Sequence, residues 1–255
     1  MITYKTKEEI VKLEAGGKKL ATIVRQAAKM VLPGIKTIDI DSAVREMIQR
    51  EGGMPAFLNY TPLGADRPYP AAICISVNSE VVHGIPSEYV LKEGDIVGLD
   101  CGLVYEGMYT DHAVTVPVGV VREEVAELLA VTKKALAVGI AAAGHTGHVG
   151  DISAAIEQVL TAGGYGIVRE FAGHGVGHKV HEEPFVPNYG KAGSGPKLSP
   201  GMVLALEPMA TLGNPEVETD ETDGYTVRTV DSSLAAHFEH TIAITENGVI
   251  VITKE

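Results

Sequence analysis

An α+β fold made of two related halves is what this 255-residue chain predicts, and three observations predict it. Gly94-Asp95-Ile96-Val97-Gly98-Leu99-Asp100 and Gly201-Met202-Val203-Leu204-Ala205-Leu206-Glu207 read as copies of one another: a glycine, an apolar run, then an acid. Each copy is followed further on by an acid and a histidine, Asp111-His112 and Glu239-His240. Each is preceded by two helical patterns, so both halves run helix, helix, strands. Internal similarity of this kind implies pseudo-two-fold symmetry. We read residues 1–255 as one domain, with halves near 1–120 and 121–255.

The first helix is expected over residues 7–32. Thr6 and Glu9 have the spacing of a capping box, and Ile10, Leu13, Leu20, Ile23, Val24, Ala27 and Val31 recur at helical intervals. Gly16-Gly17 weakens the pattern locally, and Pro33-Gly34 ends it. A second helix starts near Asp39 or Asp41 and runs to Gly52-Gly53. Its counterpart is Asp151 to Leu160, which ends at Gly163-Gly164; the helix before that covers residues 122–142. Asn59 to Pro70 and Asn188 to Pro200 are loops by composition.

Asp100 and Asp111 are expected on one hairpin, with Glu106-Gly107 as its turn. Tyr105 then faces Met108 and Gly102 faces Asp111. This makes the two carboxylates diagonal neighbours on one face. Glu207 closes the strand from Met202, and Pro208 interrupts the ladder. Glu239 precedes the alternating run Thr241 to Ile244, and Asn247-Gly248 is a hairpin signal after it.

Asp100, Asp111, Glu207 and Glu239 together carry four negative charges. Buried without cations, they would repel one another and pay for lost hydration. Two divalent ions would balance them. Oxygen-rich ligation with a histidine suits Mn, Fe, Co or Zn, and such a pair would hold a hydroxide and polarise a carbonyl. The densest segment is Gly173-His174-Gly175-Val176-Gly177-His178-Lys179-Val180-His181-Glu182-Glu183-Pro184. Its glycines permit the bend that brings His174 and His181 to one cavity, whereas His178 reads as a structural or surface residue. His83, between an apolar strand and a turn, parallels His181 in the other half.

A net charge of −12 argues against a nucleic-acid or anionic-membrane surface, and the absence of Trp argues against a stacking platform. No window reaches the length of a membrane span. The charged N-terminus lacks the apolar stretch of a signal peptide, so we expect a cytoplasmic protein. Two cysteines in a chain this long read as reduced thiols.

Taken in order, Asn78-Ser79-Glu80-Val81-Val82-His83-Gly84-Ile85-Pro86, the Asp100/Asp111 pair, Gly173-His174-Gly175, His181-Glu182-Glu183-Pro184, Leu206-Glu207-Pro208 and Phe238-Glu239-His240-Thr241 resemble the type I methionine aminopeptidases of peptidase family M24. The resemblance covers nearly the whole chain. It implies the pita-bread fold, a curved and mostly antiparallel sheet with helices outside. It also implies removal of the initiator methionine by attack of a metal-bridging hydroxide on the first peptide carbonyl. By the same resemblance, one metal is held by Asp111, His174, Glu207 and Glu239. The second is held by Asp100, with Asp111 and Glu239 bridging. His83 and His181 contact the substrate, His181 facing the developing oxyanion, and Glu207 moves the proton. Tyr69, Cys74 and Tyr225 resemble methionine-pocket positions. Tyr225 stands where many bacterial members carry Trp, and Val180 where they often carry Phe. The loop from Thr61 to Pro68 is longer than usual for the family. Lacking the helical insertion of type II enzymes and the zinc-binding extension of eukaryotic type I forms, the chain resembles the prokaryotic type. The implied partners are methionyl peptides and nascent chains at the ribosome, met by a monomer.

Overall fold

The computed structural model describes residues 1–62 and 65–254. Residues 63 and 64, within the stretch judged longer than usual for the family, and residue 255 lie outside the described residues.

Helix α1 (Lys7–Met30) opens with the expected capping box. Glu9 N donates to Thr6 Oγ1 at 3.2 Å, and Thr6 N donates to Glu9 Oε2 at 2.7 Å. Leu13, Leu20, Ile23, Val24 and Ala27 form its buried stripe. The two glycines inside it have a packing reason. A Cβ on Gly17 would run into the carbonyl oxygen of Ile252, and one on Gly16 would lie 3.1 Å from Tyr105 Cβ. They let α1 lie close against the sheet.

Helix α2 (Thr37–Arg50) begins before the expected Asp39 or Asp41. Its first amides are satisfied by distant carbonyls, Thr37 N donating to Tyr89 O and Ile38 N to Ser87 O, so no side-chain cap marks the start. Asp41 instead turns inward and accepts from Ala72 N at 2.7 Å. Helix α3 (Glu123–Ala142) lies where the sequence places it. Helix α4 (Val149–Ala162) also starts early. Asp151 is its third residue, and its carboxylate reaches back to accept from His148 N at 2.7 Å.

Among the described residues, nine strands form an antiparallel sheet that curls into a half-barrel. Across it run Met54–Pro55, Ile96–Tyr105, Met108–Pro117, Glu239–Thr245, Val203–Leu206, Gly173–Gly175 and Glu182–Val186. Ile73–Val77 pairs with Ile96–Tyr105, and Gly248–Val251 with Glu239–Thr245. The hairpin register is the expected one, with Tyr105 opposite Met108 and Gly102 opposite Asp111. The later hairpin turns one residue earlier than Asn247-Gly248 suggests. Thr245 pairs with Gly248, leaving Glu246 and Asn247 as the loop.

The sheet's alternation decides what faces where. Leu99, Cys101 and Leu103 share a core with α1 and α2. Leu204, Leu206, Ile242 and Ile244 share one with α3 and α4. Helices therefore cover one face, while Asp100, Asp111 and Glu239 line a cavity on the other. The repeats meet where Glu239 pairs with Ala113 and His240 with His112. The two histidine rings stack there at 4.6 Å, beside residues of α1 and α3.

Candidate metal centre

Four distant stretches of chain deliver carboxylate and imidazole side chains to one cavity of about 670 Å³. Asp100 and Asp111 come from the first hairpin, and Glu239 from the strand paired with it. His174 comes from the short strand Gly173–Gly175, and Glu207 from the residue that follows Val203–Leu206. Ligand atoms of Asp111, His174 and Glu239 all lie within 4.8 Å of one another. Glu207 Oε1 lies 3.5 Å from His174 Nε2. The close approach at His174 depends on Gly173, where a Cβ would run into the Ala205 carbonyl.

The donor set fits divalent cations. Asp100 Oδ1 and Glu239 Oε1 are buried without a hydrogen-bond partner. Stranding such acceptors is costly, and a cation would satisfy both. Burial drives the carboxyls upward: Asp100 to about 6, Asp111 and Glu239 well above the usual carboxylate range. The proximity of the other acids adds to the rise at Asp111 and Glu239. Glu207 behaves differently. Burial pushes it up, but His237, His174 and His181 outweigh that and hold it below its ordinary value.

His237 belongs to this centre, and the sequence reading did not single it out. It ends the strand Ala235–His237, is 3% exposed, and places Nε2 3.4 Å from Glu207 Oε2. Burial opposes its protonation, but Glu207 more than compensates. The available signal was its place two residues before Glu239, which puts both side chains on one side of an extended chain.

His83 and His181 line the same cavity. Burial pulls each down to about 4, so both are neutral near pH 7. His83 adopts φ +61°, an uncommon conformation for a residue with a side chain, and its ring meets Phe171 edge-on at 5.4 Å. The bend in the glycine-rich segment brings the His181 ring to 4.5 Å from that of His174. His178 lies on the wall of the same cavity but is held by Glu9, its Nε2 2.8 Å from Glu9 Oε1. Glu182 accepts from His178 N and Lys179 N and pairs with the buried Lys5 at 2.6 Å, which fixes the turn leading to His181.

Tyr69, Cys74 and Tyr225 gather beside the acids, with Phe57 and Val180, as a buried apolar cluster. The Tyr69 and Tyr225 rings meet edge-on at 5.1 Å. Tyr69 donates its hydroxyl to Gly84 O at 2.8 Å, and Tyr225 donates to Arg67 O. Cys74 pairs in register with Asp100, and burial raises its thiol well above the ordinary range. It is a wall of the pocket, not a nucleophile.

This combination of buried acids, imidazoles and an adjoining apolar pocket defines a metallopeptidase centre. Residues 12–246 match the model of metallopeptidase family M24, and the chain belongs to that family. Its full-length relatives are methionine aminopeptidases, and the chain is accordingly a metal-dependent aminopeptidase, a hydrolase. The methionine aminopeptidase of Clostridium perfringens is 43% identical over 253 residues, 99% of each chain. That of Aquifex aeolicus is 44% identical over 98% of this chain and 97% of its own. The crystal structure of the Thermotoga maritima methionine aminopeptidase superposes with a TM-score of 0.95, at 44% identity and full coverage of both chains. A prolidase from Pyrococcus furiosus shares the fold alone, with a TM-score of 0.75, 24% identity and 65% of that chain covered. The pita-bread architecture expected from the motifs is the one observed. Among the described residues, no helix is long and apolar enough to cross a membrane.

Proposed function

We propose that this enzyme removes the N-terminal methionine from nascent polypeptides, using two divalent ions held by Asp100, Asp111, His174, Glu207 and Glu239. The observation that carries the proposal is one cavity lined on one side by buried acids and histidines and on the other by apolar side chains. Four carboxylates carry four negative charges, which two dications balance. The oxygen-and-imidazole donor set accommodates Co, Fe, Mn or Zn.

When bound, such a pair supplies Lewis acidity and an acidified water. The protein's own groups do the rest. The apolar wall of Phe57, Tyr69, Cys74 and Tyr225 takes the methionine side chain and excludes water from it. His83 and His181, neutral near pH 7, donate N–H bonds to the substrate, and His181 serves the carbonyl oxygen as charge develops there. Glu207, ionised by its histidine neighbours, accepts the proton of the attacking water and returns it to the leaving amine. The site lies between the halves near 1–120 and 121–255, which act as one domain. The enzyme acts as a cytoplasmic monomer on nascent chains.

The deciding experiment compares hydrolysis of Met-Ala-Ser with X-Pro dipeptides by the metal-loaded protein. Release of methionine from the tripeptide is expected, and preference for X-Pro would refute the assignment. A second result is expected of His83→Ala. Metal content, measured by elemental analysis, stays near that of the parent. The value of kcat/KM falls by about 10²-fold, the scale of losing one transition-state donor. Loss of metal instead would move His83 from the substrate to the ion.

A further inference from the structure

His181 has a second partner besides His174. Its Nδ1 lies 3.0 Å from the Tyr60 hydroxyl, with the two ring centroids 5.5 Å apart and inclined at 49°. The backbone around Tyr60 is tied down. Tyr60 N donates to Phe57 O at 2.9 Å, and Tyr60 O accepts from Tyr69 N at 2.8 Å. Asn59, at φ +65°, donates its own amide to Tyr69 O at 2.9 Å. The ring over His181 is thus anchored to Tyr69, which belongs to the apolar pocket.

We propose that Tyr60 is a positioning residue which fixes the tautomer of His181, holding Nδ1 as the acceptor and Nε2 as the N–H donor. The proposal rests on the reading of His181 as a donor to the substrate carbonyl. A neutral imidazole carries one N–H, and whichever nitrogen accepts a bond leaves the proton to the other. Burial raises the Tyr60 phenol above its ordinary value, so the hydroxyl keeps its proton and donates. The groups that face His181 are Tyr60, His174, His83 and Glu207. None but Tyr60 is hydrogen-bonded to Nδ1 among the described residues. With the opposite tautomer Nε2 would present a lone pair to the cavity and would repel a developing oxyanion. Tyr60 therefore fixes the tautomer of His181 in the sense opposite to an orienting carboxylate, which would hold a proton on Nδ1, and adds no charge to a site already rich in acids.

The test uses Tyr60→Phe, which keeps the ring and its packing and removes only the hydroxyl. Two-bond ¹⁵N–¹H correlation spectra of histidine-labelled, metal-free protein report which ring nitrogen is protonated, with the His181 signals assigned by their loss in His181→Ala. In the parent, His181 is expected to be protonated at Nε2 and bare at Nδ1. In Tyr60→Phe the pattern is expected to become a mixture of tautomers. With metal restored and its content unchanged, kcat on Met-Ala-Ser falls about two- to tenfold, the range set by one net hydrogen bond. A parent spectrum with Nδ1 protonated overturns the proposal. So does a Tyr60→Phe variant whose His181 pattern or kcat is unaltered. Failure of the parent to cleave methionyl peptides at all, with the expected spectra, would refute the substrate reading and leave the tautomer assignment standing.

Discussion

Asp111→Asn is expected to lose activity and metal together. Asp111 sits at the middle of the first hairpin, opposite Gly102, with its amide bonded to Thr241 Oγ1 at 2.9 Å. Its carboxylate also caps His112 N at 3.0 Å. Asparagine has the same shape and keeps both features, so the fold is retained. What it removes is one of four carboxylate charges and one of the two oxygens of a side chain whose ligand atom lies within 4.8 Å of those of His174 and Glu239. Mutating groups that merely support metal ligands costs about 10- to 100-fold in affinity or activity. A carboxylate shared by two ions must cost more, so kcat/KM is expected to fall by well over about 10²-fold. Metal analysis should find less than two equivalents after dialysis, while the unfolding temperature of the metal-free protein stays near or above the parent's. The last point follows from burial, which already keeps Asp111 protonated without metal. An Asp111→Asn protein that retained two ions and full turnover would remove Asp111 from the ligand set.

The acids were legible because they break a pattern. A carboxylate at the end of Ile96-Val97-Gly98-Leu99, or between Phe238 and His240, has no place in an apolar strand unless something cationic meets it. The hairpin was legible because Glu106-Gly107 fixes the register, and the register fixes which face each acid takes. Helix starts were less so. The first amides of α2 are held by carbonyls about fifty residues away, and local composition carries no trace of that. His237 was hidden for a different reason. A histidine in Ala-Ala-His-Phe-Glu resembles any strand residue until the fold sets it 3.4 Å from Glu207. Tyr60 was obscured by its loop, since the bond to His181 spans 121 positions.

Metal uptake near neutral pH is expected to release about two protons, and the metal-free protein is expected to weaken as pH rises above about 6.5. In the metal-free native state, burial and the neighbouring acids keep Asp111 and Glu239 protonated well beyond the ordinary carboxylate range. Glu207 raises His237 above 6.5 despite its burial. The unfolded chain has shed these protons by about pH 7. Stability changes with pH as the protons bound by the unfolded state minus those bound by the native state. Above 6.5 that difference is negative, and stability falls. Each proton that only the native state holds corresponds to about 1.4 kcal/mol per pH unit. Below 6.5 the trend does not continue, because His83, His112, His181 and His240 are held down to between about 3 and about 4. In that range the unfolded state binds protons that these buried rings refuse, and the two contributions offset each other. Asp100, at about 6, contributes to the native excess only up to that pH. Carboxylate ligands must be ionised to bind a cation, so the dications displace the Asp111 and Glu239 protons and flatten the decline above 6.5. Calorimetric titration of metal in two buffers of different ionisation enthalpy counts the protons. Urea unfolding at pH 7 and pH 8, with chelator and with saturating metal, reads the slope. Proton-neutral metal binding, or a metal-free stability that is flat from pH 7 to 8, would mean that these carboxylates are not clustered and buried as the geometry requires.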